Sequence, residues 1–394
     1  MNSNSWKVKK WGDLVELKYG KSLKNYKEKT VGYRVFGTNG PIGYNEEALC
    51  EQETVIVGRK GAYRGVHYSD KPCYVIDTAF YTVPIEEINM KWAFYELLTK
   101  NINNLDSGSA IPSTSREDFY SLKSKVPPIG VQNKIVNILS IFEEKIELNS
   151  KMISNLEQLS QTLFKHWFID FEFPNEKGQP YKSSGGEMVE SELGEIPKGW
   201  SVKSLDEVAN YQNGLAMQKY RPQTDEEKFL PVLKIRELNR GFTDVNSDKC
   251  SINIKDSVKI YDGDVIFSWS GTLLVKLWTG GRAGLNQHLF KVTSDEFSKW
   301  FYYLWTKHHL RVFQARAAEK ATTMGHIKRA HLQEAKVLTP SHNMFNEANK
   351  TFEPIINQII TLGIENKKLE ELRDTLLLKL LSGEIEIPDE LVVD

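Results

Sequence analysis

In two segments, positions that are mostly apolar, eight of ten in the first and seven of nine in the second, recur in alternating steps of four and three. In the first they fall at Ile135, Leu139, Phe142, Ile146, Asn149, Ile153, Leu156, Ser160, Leu163 and Trp167; in the second at Phe352, Ile355, Ile359, Leu362, Asn366, Leu369, Arg373, Leu376 and Leu380. A period of 3.5 held for more than four heptads predicts a long helix whose apolar seam faces a partner helix, because only that period keeps one stripe on one side. The stretch LEQLSQTLFKHWF (156–168) overlays LEELRDTLLLKLL (369–381), so the two helices are expected to pair with each other. Each seam holds one asparagine, Asn149 or Asn366, a residue that costs stability but penalises wrong registers. Pro354 is placed in the opening turn or so of the second helix, where proline is tolerated.

Ahead of each helix lies a block in which β-branched and aromatic runs alternate with turn residues, and the two blocks resemble each other. WKVKKWGDLVELKYG begins at Trp6, and WSVKSLDEVANYQNG begins at Trp200, with Val8/Val202, Lys9/Lys203 and Gly20/Gly214 in register. ETVIVGRKG (53–61), DTAFYTV (77–83) and MKWAFYELLTK (90–100) are followed in the same order by GDVIFSWSG (263–271), NQHLFKV (286–292) and SKWFYYLWTK (298–307). Such runs predict a mixed α/β domain in each block. The expected organisation is a first domain over 1–130, a helix over 131–169, a linker over 170–198 rich in Gly, Pro, Ser and Glu, a second domain over 199–340, a second helix over 341–385 and a tail over 386–394. A helix of about 33 residues is roughly 50 Å long. The fold class expected is therefore α+β, two similar domains joined by two long antiparallel coiled-coil helices in a pseudo-two-fold dumbbell.

Charge changes this picture more than composition does. The net charge of the 394 residues is −1, yet residues 1–130 carry 18 basic and 15 acidic side chains and 200–340 carry 21 and 15, whereas 131–199 carry 7 and 11 and 341–394 carry 5 and 11. The domains are cationic and the helices acidic, which directs an anionic partner to the domains. Cys50, Cys73 and Cys250 are odd in number and have no CxxC spacing, so neither a disulfide framework nor a zinc site is expected. No signal-peptide pattern and no run of about 18 apolar residues is found, and a soluble protein of the reducing cytoplasm is expected.

Searches for catalytic chemistry return little. YGKS (19–22) looks like the tail of a P-loop, but Val15 stands where its first glycine is required. The eight histidines show no metal-ligand spacing, and His288 in LNQHLF reads first as a packed or hydrogen-bonded residue and second as a base reader. The cationic domains do mix positive charge with polar and aromatic residues. Candidates for DNA contact are Lys21, Lys24, Asn25, Tyr26, Lys27, Arg59, Lys60, Tyr63, Arg64, Ser113, Thr114 and Arg116 in the first, and Gln218, Lys219, Tyr220, Arg221, Arg236, Ser270, Thr272, Arg282, Thr322, Thr323, His326, Lys328 and Arg329 in the second. Arg and Lys neutralise phosphates, and Arg, Asn, Gln and His can match base edges. Two other classes compete: an adaptor gripping proteins or glycans with both domains, and a phosphate-handling enzyme built on Gly20 to Ser22.

The run GSAIPSTSREDFYSLKSKVPPIGVQNKI into a long helix, GEIPKGW at the second block, the LEQL/LEEL helices and the repetition of the whole resemble the DNA-specificity (S) subunit of type I restriction-modification systems, over essentially the full length. The second approach to a helix, KVLTPSHNMFNEANKTF, lacks the PPIGVQNKI form of the first. The resemblance implies target recognition domains that each read half of a split DNA sequence, and helices that set the gap and dock two methyltransferase subunits. It also implies restriction subunits in the assembly, with S-adenosylmethionine, Mg2+ and ATP used only by those partners, and a chain that is itself no catalyst.

Overall fold

A computed structural model describes residues 6–105, 112–224, 228–318 and 325–387. The chain divides into two compact units, residues 1–144 with 370–394, and residues 145–369.

In the first unit the strand Lys7–Lys10 pairs antiparallel with Lys123–Val126, so the start of the block lies beside its end. Trp11 follows, fully buried, with its indole N–H donating to Ser124 Oγ at 3.0 Å. A four-stranded antiparallel sheet then forms in the order Val15–Tyr19, Ala79–Pro84, Thr54–Gly58 and Val66–Ser69. The all-buried pattern of TVIVG explains why Thr54–Gly58 is an interior strand. A three-stranded sheet sets Tyr33–Gly37 between Gly40–Asn45 and Cys73–Val75, the last pair running parallel. The helix Met90–Leu98 closes the core, and the Asn89 side chain caps it by accepting from Trp92 N at 2.9 Å.

The second unit repeats this order. Ser201–Ser204 pairs with Lys336–Thr339; the four-stranded sheet runs Asn210–Asn213, Leu289–Thr293, Val265–Ser268, Leu274–Leu277; and Phe229–Leu233 pairs parallel with Ala283–Leu285. The helix after the sheet is longer, Lys299–Ala318, and buries Trp300, Phe301, Tyr303 and Trp305. Segment 170–198 differs from the expected linker. It contains a hairpin, Met188–Ser191 with Gly194–Pro197, and Phe171 and Phe173 are buried in the second core. Composition hid three aromatics: Phe173 stacks on Tyr181 at 4.5 Å and on Trp200 at 5.2 Å, enough apolar surface to anchor a polar stretch.

The first long helix spans Ile129–Phe164 and continues as a π-helical turn, Lys165–Ile169; the second spans His342–Ser382. Pro354 therefore lies about three turns inside the second helix rather than at its start. The helix begins earlier because Met344, Ala348 and Phe352 continue the buried stripe in steps of four, and the proline sits on the exposed face. Within the second unit the helices run antiparallel: Asn149 faces Glu365, and Trp167 meets Phe352 at 5.4 Å. No predicted seam position is exposed, but the seam is not a free-standing coiled coil. Ile135, Leu139, Leu376 and Leu380 belong to the first unit's core, and Ile153, Leu156, Leu163, Trp167, Phe352, Ile355 and Ile359 to the second's.

Candidate nucleic-acid interface

The repeat extends to individual hydrogen bonds. Gly20 N donates to Ala79 O and Lys21 N to Val75 O, and likewise Gly214 N to Leu289 O and Leu215 N to Leu285 O, all at 2.9–3.1 Å. A side chain at Gly20 would begin 2.1 Å from Ile76 O, and one at Gly214 would begin 2.2 Å from Asn286 O, so each glycine is fixed by the crossing of two backbones. That also removes Gly20 from any phosphate cradle. The loop after the interior strand is tied in the same way in both units: Arg59 N to Thr78 O, Thr114 N to Arg59 O and Gly61 N to Pro112 O in the first, and Trp269 N to His288 O, Ile327 N to Trp269 O and Gly271 N to Gly325 O in the second. Three loops thus converge at one end of each four-stranded sheet, and Lys60 is bridged to Ser113 as Ser270 is to His326.

Several predicted contact residues hold the fold instead. Arg64 is 3% exposed, with its guanidinium donating to Gly61 O and Asn103 O. Thr114 is buried and donates to Gly58 O, and Ser270 is buried in its loop. Arg116 donates to Leu17 O at 2.9 Å and lies over the Tyr19 and Tyr120 rings; Arg329, its counterpart, donates to Tyr211 O at 3.1 Å and lies over Phe290. Arg236 is exposed but paired with Glu237 at 2.6 Å, and Arg282 lies over Tyr261. In the first unit Tyr26 is half-buried with its carbonyl accepting from Tyr44 N, while Lys21, Lys24, Asn25, Lys27, Lys60 and Tyr63 are exposed and Arg59 and Ser113 half-buried. In the second Gln218, Lys219, Tyr220, Arg221, Thr272, His326 and Lys328 are exposed. Thr322 and Thr323 lie outside the described residues.

Beside the three converging loops of the second unit is a groove of about 300 Å³. Gln218 and Arg221 line one part of it, and Asn286, Gln287 and His288 another. Lys234 and Asp248 pair on its wall; the Lys234 hydrogen bond, with the Lys234, Arg221 and Arg236 charges, holds the Asp248 carboxyl below the usual carboxylate range. That pair is electrically balanced, which leaves Arg221 and Lys249 as the groove's cations. Gln287 escaped sequence reasoning because only the folded loops bring it to the groove, and alignment of DTAFYTV with NQHLFKV was its one sequence signal; Trp269, which packs on His288, lies in GDVIFSWSG in register with Arg59 of ETVIVGRKG. Among the described residues no cluster of His, Cys, Asp or Glu could hold a metal ion, and no helix is long and apolar enough to cross a membrane.

Comparison with known proteins places this architecture. The family model for the type I restriction modification DNA specificity domain matches residues 3–158 and again 197–373, and the chain belongs to that family. Among its relatives are the MjaIX specificity subunit of Methanocaldococcus jannaschii, 24% identical over 98% of this chain and 90% of the relative, and the HindI specificity subunit of Haemophilus influenzae, 25% identical over 80% and 82%. The fold is that of the type I restriction-modification S subunit from M. genitalium, with a TM-score of 0.58, 18% identity and 98% of each chain covered.

Proposed function

We propose that this chain is the DNA sequence-specificity subunit of a type I restriction-modification complex. Each of its two domains reads one half of a bipartite duplex target, and the long helices set the unread gap and dock methyltransferase subunits. The observation that carries this reading is the duplicated domain: one hydrogen-bond pattern used twice, each time presenting exposed cations near the same convergence of loops. Two heads about one helical turn of B-DNA apart, near 34 Å, can engage one face of the duplex. The first long helix has surface to offer a protein partner: Leu148, Met152 and Leu159 are 53%, 39% and 46% exposed, four and seven residues apart on one stripe beside the seam.

The chain itself carries out no catalysis in this reading. Two methyltransferase subunits supply the S-adenosylmethionine chemistry, restriction subunits the Mg2+- and ATP-dependent steps, and the complex works in the cytoplasm. The test is binding of the chain with its methyltransferase partner to duplex DNA across a salt series. Selective binding to one bipartite sequence, weakening steeply between 50 and 200 mM salt, is expected, by about 10³-fold or more where six or more phosphates are contacted. Salt-insensitive binding, or equal binding to all duplexes, would refute the proposal and favour a protein or glycan adaptor.

A further inference from the structure

The matched hydrogen bonds define which residues of the two heads occupy equivalent places, and the side chains there differ. Arg59 and Trp269 are equivalent, since each N–H donates to the carbonyl of the residue before the returning strand and each carbonyl accepts from Thr114 or Ile327. By the same bonds Thr78 matches His288, and the residue before each, Asp77, matches Gln287. Around them the frame is constant: the glycines, the bridges to Ser113 and His326, and the Arg116 and Arg329 guanidinium contacts all recur. A backbone held constant while the half-buried side chains at its loop ends change is what two readers of different sequences require.

Resting on the DNA reading above, we propose that this convergence of loops is the base-reading centre of each head, with Gln287 and His288 the specificity-determining residues of the second. Gln287 is half-buried on the wall of the groove, and its amide nitrogen lies 3.2 Å from His288 Nε2. His288 Nδ1 is buried and has no hydrogen-bond partner among the described residues; Trp269 packs against the ring at 5.9 Å. The pair is thereby held by its own contacts and by an aromatic wall, as a selective reader must be, while the neighbouring Arg221 supplies charge for a phosphate. A glutamine amide can pair with both adenine N6 and N7 in the major groove, whereas at the equivalent place in the first head the Arg59 guanidinium is committed to Asp77 O at 2.9 Å and lies over the Tyr19 ring. The two heads therefore read different half-sequences through the same loops.

The test is methylome sequencing of a host carrying the chain with its partner genes, comparing wild type, Gln287→Ala with His288→Ala, Gln287→Glu, and the remote surface variant Lys177→Ala. The double variant is expected to relax one or two base pairs of one half-sequence by about tenfold or more, leaving the other half and the gap unchanged. Gln287→Glu, which keeps size and shape, is expected to alter the preferred base there should the double variant fail to fold. A wild-type motif in both folded variants would overturn the proposal. So would a uniform fall in methylation at all sites without any change of motif, since that marks a phosphate contact. If the wild type produced no bipartite motif, the specificity-subunit reading would fail, and that result is distinct from either.

Discussion

At the residue scale, charge alone did not show which cations are committed inside the fold; burial and partners did. Arg116 looks in the sequence like Lys60, but its guanidinium is spent on Leu17 O and two tyrosine rings. Arg116→Ala is expected to destabilise the first head by about 1–3 kcal/mol, through a lost charged hydrogen bond and lost ring packing. Lys60→Ala should leave the melting temperature within error and weaken DNA binding; thermal melts of both variants check this. His309 gives a pH prediction. Burial first, then the nearby His308 and Arg316 charges, depress it to about 4, against the bond to Lys336 O that works the other way. The unfolded chain takes up a proton near pH 6.5 that the folded chain refuses until about 4. This contribution is therefore complete above pH 6.5 and is lost as pH falls towards 4, on the order of 3 kcal/mol at most. Melts from pH 7.5 to 4.5 should fall less steeply for His309→Gln.

At the element scale, the long helices were legible because a 3.5-residue period has no competing explanation over so many turns. The expected spans, 131–169 and 341–385, fall within three residues of the observed ones. The place of Pro354 was not legible: propensity puts a proline in the opening turn, whereas the buried positions Met344 and Ala348 carry the helix about three turns ahead of it, and packing outweighs the one hydrogen bond that proline removes. The hairpin in 170–198 was hidden for the opposite reason, since its polar composition masks the few aromatics that fasten it. The seam asparagines are specific in their contacts. Asn149 is fully buried, donating to Glu365 at 3.0 Å with its own oxygen unpaired, and Asn366 donates to Ser150 Oγ at 3.1 Å. Asn149→Leu is expected to leave stability unchanged or raise it by about 1 kcal/mol, because Glu365 keeps Lys145 at 3.4 Å while an unsatisfied buried oxygen disappears. Denaturant titration decides; a loss above about 1 kcal/mol would show that the cross-helix bond outweighs its desolvation.

At the scale of the whole chain, duplication implies that the heads are separable in function. Replacing the second head with that of another family member should change one half-sequence and leave the other intact. The exchanged piece must carry 170–198 along with 200–340, since Phe171 and Phe173 pack around Trp200. Methylome sequencing reads the result, and altered recognition in both halves would count against independent heads. Inserting one heptad into each long helix should lengthen the unread gap and spare both half-sequences.

The sequence by itself determined the repeat, the α/β character of the heads and the helices, because hydrophobic period and residue order are properties of the chain alone. Only the tertiary structure decided which cations are committed to carbonyls and rings, that the helix seam merges into the two cores, and that Asp77 and Thr78 stand beside Arg59 as Gln287 and His288 stand beside Trp269. The physical reason is that these residues meet across loops tens of positions apart, through backbone hydrogen bonds that leave no periodic trace in the order of the amino acids.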